Sequence, residues 1–286
     1  MYKFYFPFYY LFYSRLKTKI DQISWFIIFI IPPFFISIYF SNLNLVLFSI
    51  LFFMVELIFN TLYEVGYLEN DISTTKNEKE PTMRLDKDSF NFVSLHYRAI
   101  VVSKYIITFF GIAFLYVVNK SYDLHLNIGA FVLLLVVNRL FFYWHNSVRN
   151  RWNLLTFSVL AITKYTFPMV LFVDENLLLV SILSLGLFPI IRIIEHSTHK
   201  RYGFKNYAML VGNHDRFRVI YYLLYLLFIA VLYMSGSVEK TVLYPFILLG
   251  LYFFLYRLAS WLFVTKGLYK RDNLKNKDLY IKKEEK

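Results

Sequence analysis

The second long apolar segment of this chain ends in charge: from Phe53 to Asp71 it reads FMVELIFNTLYEVGYLEND. Its leucine, isoleucine, phenylalanine and valine residues predict a helix that crosses a membrane. At about 100° per residue, five polar side chains fall within an arc of roughly 80° on that helix. They are Glu56, Asn60, Glu64, Tyr67 and Asp71. Carboxylates are costly inside an apolar helix, so this stripe is expected to face a protein cavity and to mark a site.

The composition of the whole chain is that of a membrane protein. Of its 286 residues, 58% are hydrophobic and 21% are aromatic, more than a soluble domain contains. The absence of cysteine excludes disulfides, thiolate metal sites and cysteine nucleophiles. The net charge of +12 is explained by loops that face anionic membrane lipids, so nucleic acid is not expected as a partner.

Runs of about 20 apolar residues predict eight membrane spans. They lie at 22–40, 43–68, 98–118, 126–144, 153–173, 176–194, 217–235 and 241–264. Prolines are expected to kink the first, fifth and sixth spans, at Pro32-Pro33, Pro168 and Pro189. The aromatic run 4–13 is too short to cross, so residues 1–20 are expected to form an interfacial segment.

Lysine and arginine concentrate in alternate loops, which predicts the orientation of the chain. Nearly all the positive charge of the loops lies in the N-terminal segment, the short loop 145–152, the long loops 69–97 and 195–216, and the basic tail 266–286. Both termini are therefore expected on the cytoplasmic side of a bacterial-type inner membrane. The two long loops are where a cytoplasmic active site is expected, because the other connections are short. No Pro/Ser-rich linker interrupts the chain, which indicates a single domain.

Further polar side chains lie inside the predicted spans: Lys104, Asn138, Arg139, Lys164, Arg192 and Arg257. Those near a helix end can reach the headgroups by snorkelling, and that interpretation stays open for each of them alone. Carboxylates and an amide suit Mg²⁺, while lysine and arginine neutralise phosphates and a leaving pyrophosphate. These residues therefore indicate a membrane-embedded transferase for a phosphorylated substrate and an amphiphilic acceptor.

Two stretches of sequence resemble the first signature of the UbiA prenyltransferase superfamily: Tyr67-Leu68-Glu69-Asn70-Asp71 and Glu80-Pro81-Thr82-Met83-Arg84. The branch most resembled is that of the decaprenyl-phosphate phosphoribosyltransferases. His199-Lys200-Arg201-Tyr202 in the second long loop is similar to a Lys-Arg-Tyr element of that branch. This chain departs from the family pattern at Thr74 and Glu78, where the family has aspartates.

The resemblance implies an all-α polytopic membrane protein, a bundle of eight or, as is usual in the family, nine transmembrane helices around a lipid-open cavity. It implies a Mg²⁺ cofactor and names three ligands for it, Asn70, Asp71 and Glu78. The implied catalytic residues are Asp71, Asn70 and Tyr67, and the donor phosphates are held by Arg84, Lys200 and Arg201. The charges and amides inside the spans add further candidates for substrate binding, namely Lys104, Arg139, Lys164, Glu64 and Asn60.

The implied reaction is the displacement of pyrophosphate from phosphoribosyl pyrophosphate, a phosphorylated small-molecule donor, by a polyprenyl-phosphate acceptor. The alternative within the family is a prenyltransferase that joins a prenyl diphosphate to an aromatic ring. The basic character of loop 195–216 favours the sugar-phosphate donor. Outside the family, three interpretations stay open: a transporter or flippase for an anionic or lipid-linked solute, a scaffold subunit, and a metal trio of Glu195, His196 and His199.

Overall fold

The computed structural model describes residues 1–75, 83–148 and 150–268. Within those ranges the chain is helical and contains no β-strand. The helices are α1 Tyr9–Ser14, α2 Lys19–Phe29, α3 Ile31–Tyr39, α4 Leu45–Glu69, α5 Lys87–Leu95, α6 Tyr97–Tyr122, α7 Ile128–Ser147, α8 Trp152–Phe172, α9 Leu177–Leu187, α10 Pro189–Ser197, α11 Lys205–Val211, α12 His214–Ser235 and α13 Lys240–Thr265.

The protein is an all-α polytopic membrane protein, as predicted. In the described part of the chain, seven helical segments are long and apolar enough to cross a membrane. An eighth span is formed if α9 and α10, which are bent by 44° at their junction, are counted as one. These segments follow the order of the eight apolar runs in the sequence.

Prolines lie near the start of two helices and inside a third. Pro32 and Pro33 are the second and third residues of α3, and Ile30 separates that helix from α2. Pro189 is the first residue of α10 and therefore lies at the bend. Proline is tolerated at these first positions because its missing amide would have no partner in the helix there. Pro168, in contrast, lies inside α8, which continues past it.

The chain divides into two compact units. The first unit contains the described residues of 1–149 and 163–177, and the second contains those of 150–162 and 178–268. Helix α8 therefore contributes its first half to the second unit and its second half to the first. That the two units act as one domain stays a prediction.

The N-terminal segment is part of the core of the first unit. Phe4 and Tyr10 are at most 1% exposed and join a buried cluster with Leu68 from α4 and Ile100 from α6. Burying aromatic side chains of this size in protein is strongly favourable. The segment is too short to cross a membrane, as expected. It is also held by protein contacts, which an interfacial location alone does not require.

Candidate functional site

Helix α4 carries the polar stripe into the interior of the first unit. Four side chains of the stripe are at most 3% exposed, namely Glu56, Asn60, Glu64 and Asp71. The fifth, Tyr67, is half-buried. The side chains are thus covered by protein, and that they line a cavity and mark a site stays a prediction. The α-helix ends at Glu69 and is followed by one π-helical turn, Asn70–Thr74. Such turns are rare and are frequently found at functional sites.

Asp71 is the centre of a group of five side chains, which we name the Asp71 cluster: Tyr10, Arg15, Asn70, Asp71 and Arg84. Nη2 of Arg15 lies 2.9 and 3.0 Å from the two carboxylate oxygens, and Nη1 of Arg84 lies 2.9 Å from Oδ1. The Tyr10 hydroxyl donates to Oδ2 at 2.8 Å, and the Asn70 amide donates to Oδ1 at 3.0 Å. Residues far apart in the sequence thus meet on one carboxylate.

The Asp71 cluster carries more positive than negative charge. The Asp71 side chain is 2% exposed, whereas those of Arg15 and Arg84 are 15% and 31% exposed. Burial and the neighbouring Arg15 charge lower the pKa of Arg84, against the attraction of Asp71. Burial and the Asp71 charge raise the pKa of Tyr10, which keeps its phenol a hydrogen-bond donor. One carboxylate balances one guanidinium group, and a bound anion would balance the other.

A buried hydrogen-bond donor without a partner in the described chain also indicates that the Asp71 cluster binds an anion. Nε of Arg15 is buried and has no hydrogen-bond partner among the described residues. Buried donors are nearly always satisfied in native proteins, so an unsatisfied one at a site indicates a missing ligand or water. Together with the charge excess, it makes the Asp71 cluster the best candidate for an anion-binding site in the first unit.

Tyr67 and Lys164 extend the Asp71 cluster along α4. The guanidinium carbon of Arg15 lies 4.4 Å from the centroid of the Tyr67 ring. Nζ of Lys164 lies 3.4 Å from the Tyr67 hydroxyl and 4.5 Å from the Tyr63 ring centroid. Contacts between a cation and aromatic rings stabilise a charge in an apolar setting. Two of the predicted site residues, Tyr67 and Lys164, are therefore adjacent.

Glu64 and Lys104 pair with each other. Their charged atoms, Oε2 and Nζ, are 2.6 Å apart, and the side chains are 1% and 0% exposed. The Lys104 ammonium also donates to the carbonyl of Phe6 at 2.6 Å, and the amide of Leu11 donates to the other Glu64 oxygen at 2.8 Å. The pair thus ties the N-terminal segment to α4 and α6. This geometry favours a structural role for both residues over the predicted role in substrate binding.

Asn60 and Arg139 also have protein partners. The Asn60 amide donates to Oε2 of Glu56 at 2.8 Å and to the Glu56 carbonyl at 2.9 Å. Arg139 forms an ion pair with Glu69 and donates to the Tyr105 hydroxyl at 2.9 Å. Oε1 of Glu56 is buried without a hydrogen-bond partner among the described residues. A substrate-binding role for Asn60 and Arg139 stays a prediction.

The described residues do not fit a Mg²⁺ ion as they are arranged. The oxygens of Asp71 already accept hydrogen bonds from four donors, and the two guanidinium charges beside them would repel a divalent cation. Oδ1 of Asn70 accepts a hydrogen bond from Thr74 at 3.2 Å. No three His, Asp or Glu side chains in the described ranges are grouped to hold a metal. Glu78, the third predicted ligand, lies outside the described residues, as do Glu80, Pro81 and Thr82 of the signature.

In the second unit, the Lys-Arg-Tyr run forms a 3-10 turn, Lys200–Tyr202. Tyr202 is 1% exposed, its hydroxyl donates to Oδ1 of Asn153 at 2.9 Å, and burial raises its pKa. Lys200 and Arg201 are exposed. The tyrosine therefore anchors the turn and leaves two cations accessible, as a phosphate-binding loop requires.

The alternative metal trio of Glu195, His196 and His199 is not formed. Glu195 forms ion pairs with Arg192 and Arg218. His196 stacks on Phe157 with ring centroids 3.6 Å apart. Nδ1 of His199 lies 2.7 Å from the carbonyl oxygen of His196. These contacts agree with the lack of a metal-holding group in the described chain.

The structure thus brings Asn70, Asp71 and Arg84 together in the first unit, and Lys200 and Arg201 together in the second. That these two groups serve one site stays a prediction. Tyr10 and Arg15 were not anticipated as site residues. They lie 61 and 56 residues before Asp71, and the only sequence signal was a basic residue after an aromatic run.

Comparisons with family models, with curated proteins and with solved structures find no match to this chain.

Proposed function

We propose that this protein is an integral-membrane transferase of the UbiA type that acts on a phosphorylated donor. The observation that carries the proposal is the Asp71 cluster, in which two arginines meet the buried carboxylate of a signature residue. Guanidinium groups bind phosphate oxygens in a bidentate manner, so the excess positive charge suits a diphosphate. The apolar spans supply the environment for the tail of an isoprenoid-lipid acceptor.

In the proposed reaction, an oxygen of the polyprenyl-phosphate acceptor attacks the anomeric carbon of phosphoribosyl pyrophosphate. The bond from that carbon to the pyrophosphate oxygen breaks, and pyrophosphate leaves with the bonding electrons. Arg15 and Arg84 stabilise the charge that develops on it, because fixed cations act most strongly where charge appears. Asp71 holds both arginines in position, and Tyr67 orients a hydroxyl of the donor.

Mg²⁺ is the cofactor that the resemblance implies, and when bound it would neutralise pyrophosphate charge. The arrangement of the described residues supports the two arginines in that role, so the proposal assigns no step to the metal. That Lys200 and Arg201, which are exposed in the second unit, also bind donor phosphate stays a prediction.

The test is pyrophosphate release by the purified full chain in detergent, given phosphoribosyl pyrophosphate and a polyprenyl phosphate, with and without Mg²⁺. Arg84→Gln is expected to lower the turnover rate by roughly 100-fold or more, the usual effect of removing one group that stabilises transition-state charge. Asp71→Asn is expected to do the same because it releases both arginines. Arg98→Gln removes an exposed arginine on α6 and should leave the rate unchanged.

The choice of donor in this assay distinguishes the phosphoribosyltransferase branch of the family from the prenyltransferase branch. Release only with a prenyl diphosphate and an aromatic acceptor would replace the sugar-phosphate donor in the proposal. If neither donor is turned over and the protein instead moves an anionic solute into proteoliposomes, the enzyme proposal is wrong.

A transporter or flippase is the second candidate, and one feature favours it. Helices α9 and α10 meet at an angle of 44°, and charged residues follow the bend. In transporters, broken helices present free backbone groups and charges to a substrate path. The proteoliposome measurement therefore tests this candidate directly.

A further inference from the structure

A second group of charges lies in the second unit, on α10, α12 and α13. We name it the Glu195 cluster: Arg192, Glu195, Asp215, Arg218 and Arg257. Glu195 forms an ion pair with Arg218 and, at 2.9 Å, with Arg192. Nη1 of Arg218 also lies 3.1 Å from Asp215. The cluster thus contains three guanidinium groups and two carboxylates.

Arg257 is the member of the Glu195 cluster that lacks a carboxylate. It is 7% exposed and close enough to Arg218 and Glu195 to interact electrostatically with both. No ion pair between described residues includes Arg257. Its Nε is buried and has no hydrogen-bond partner in that part of the chain. A buried guanidinium beside another is unfavourable unless an anion compensates it.

The neighbouring groups cannot supply that anion. Oε2 of Glu195 already accepts from Nη2 of Arg218 at 3.0 Å and from Arg192 at 2.9 Å, and Oε1 accepts from Nε of Arg218. Tyr222, which also interacts with Arg257, donates its hydroxyl to the carbonyl of Leu187 at 2.6 Å. Both carboxylates of the cluster are thus paired with Arg192 or Arg218, and the Arg257 cation is paired with neither.

We infer that the Glu195 cluster binds a phosphate-bearing anion, with Arg257 as the buried ligand and Arg192 as the accessible one. The side chain of Arg192 is 43% exposed, so the cluster has an open side. A dianionic phosphate accepts hydrogen bonds from two guanidinium groups at once. The phosphate of a lipid headgroup and free phosphate have this chemistry in common. Anion binding by the Glu195 cluster does not depend on the proposed transferase activity.

The test measures binding in proteins that all carry Arg84→Gln, so that the Asp71 cluster contributes little. One arm titrates the full chain in neutral detergent with radiolabelled inorganic phosphate by equilibrium dialysis. The other arm places the protein in phosphatidylcholine nanodiscs with and without phosphatidic acid, and measures the melting temperature. Arg257→Gln is compared with Arg216→Gln, which removes an exposed arginine near the start of α12.

We expect saturable binding in one of the two arms, weakened roughly tenfold or more by Arg257→Gln and unchanged by Arg216→Gln. Phosphate binding in detergent identifies a soluble ligand, and a rise in melting temperature with phosphatidic acid alone identifies a lipid. Without any anion, Arg257→Gln should be at least as stable as its parent, because it removes an uncompensated charge. Equal binding by Arg257→Gln and Arg216→Gln would overturn the inference. The absence of saturable binding in both arms would also overturn it. If Arg257→Gln does not fold, Arg257→Lys in the same assay replaces it and should weaken binding as well.

Discussion

Glu64 and Lys104 illustrate what the protein interior requires of a charged residue in a membrane span. Both are fully buried, and each has a second partner in the backbone of the N-terminal segment. A buried ion pair contributes little net stability compared with a well-packed apolar pair. Removing only one partner is much more harmful, because the other charge is then left without compensation.

Lys104→Met is therefore expected to lower the free energy of unfolding by about 3–5 kcal/mol. The double variant with Glu64→Leu should recover part of that loss, because no charge is left buried. The measurement is equilibrium unfolding in mixed micelles, followed by circular dichroism. Lys120→Met, an exposed lysine on the same helix, is the matched control. A loss for Lys104→Met no larger than that of the control would contradict the structural role.

At the scale of helices, the contact of α4 with α7 depends on the lack of a side chain at Gly66. A Cβ atom there would lie 2.3 Å from Cγ of Phe142. The amide of Asn146 also donates to the Gly66 carbonyl at 3.0 Å. The two helices are thus held close together immediately before Tyr67 and the Asp71 cluster.

Gly66→Ala is expected to destabilise the protein by about 1–3 kcal/mol, because Phe142 must move to make room for the methyl group. Gly129→Ala on α7 is the control, since nothing lies within 4 Å of a Cβ there. That control should be neutral or slightly stabilising, because alanine favours helix. Melting temperatures of the two variants in detergent check both expectations. Equal melting temperatures for the two variants would mean that α4 and α7 can move apart without loss of stability.

The helices could be predicted from the sequence more fully than the site. The apolar run 43–68 matches α4, Leu45–Glu69, because each span must be long enough to cross the hydrocarbon layer. The helical spacing of polar residues in the stretch 53–71 singled out Asp71. Arg15 was out of reach, because its contact with Asp71 joins residues 56 apart and periodicity describes only neighbours in one element. The pairing of Glu64 with Lys104 was missed for the same reason.

At the scale of the whole molecule, the proposed topology rests on the unequal charge of the loops. The chain contains no cysteine, so single cysteines can report the side on which a loop lies. We expect a membrane-impermeant maleimide to label Ser121→Cys and Ser237→Cys in intact cells. Ser147→Cys should react only after the membrane is permeabilised. All three serines are exposed, so accessibility within the protein does not confound the comparison. Labelling of Ser147→Cys in intact cells would reverse the orientation.

The buried N-terminal segment has a consequence for biogenesis. The ribosome makes residues 1–18 and α4 before it makes α6, which carries Lys104. Until α6 is inserted, the Glu64 carboxylate has no cation to pair with, and the carbonyl of Phe6 has no ammonium donor. The second and third spans should therefore leave the translocation channel as a pair, and the N-terminal segment should dock last although it is synthesised first.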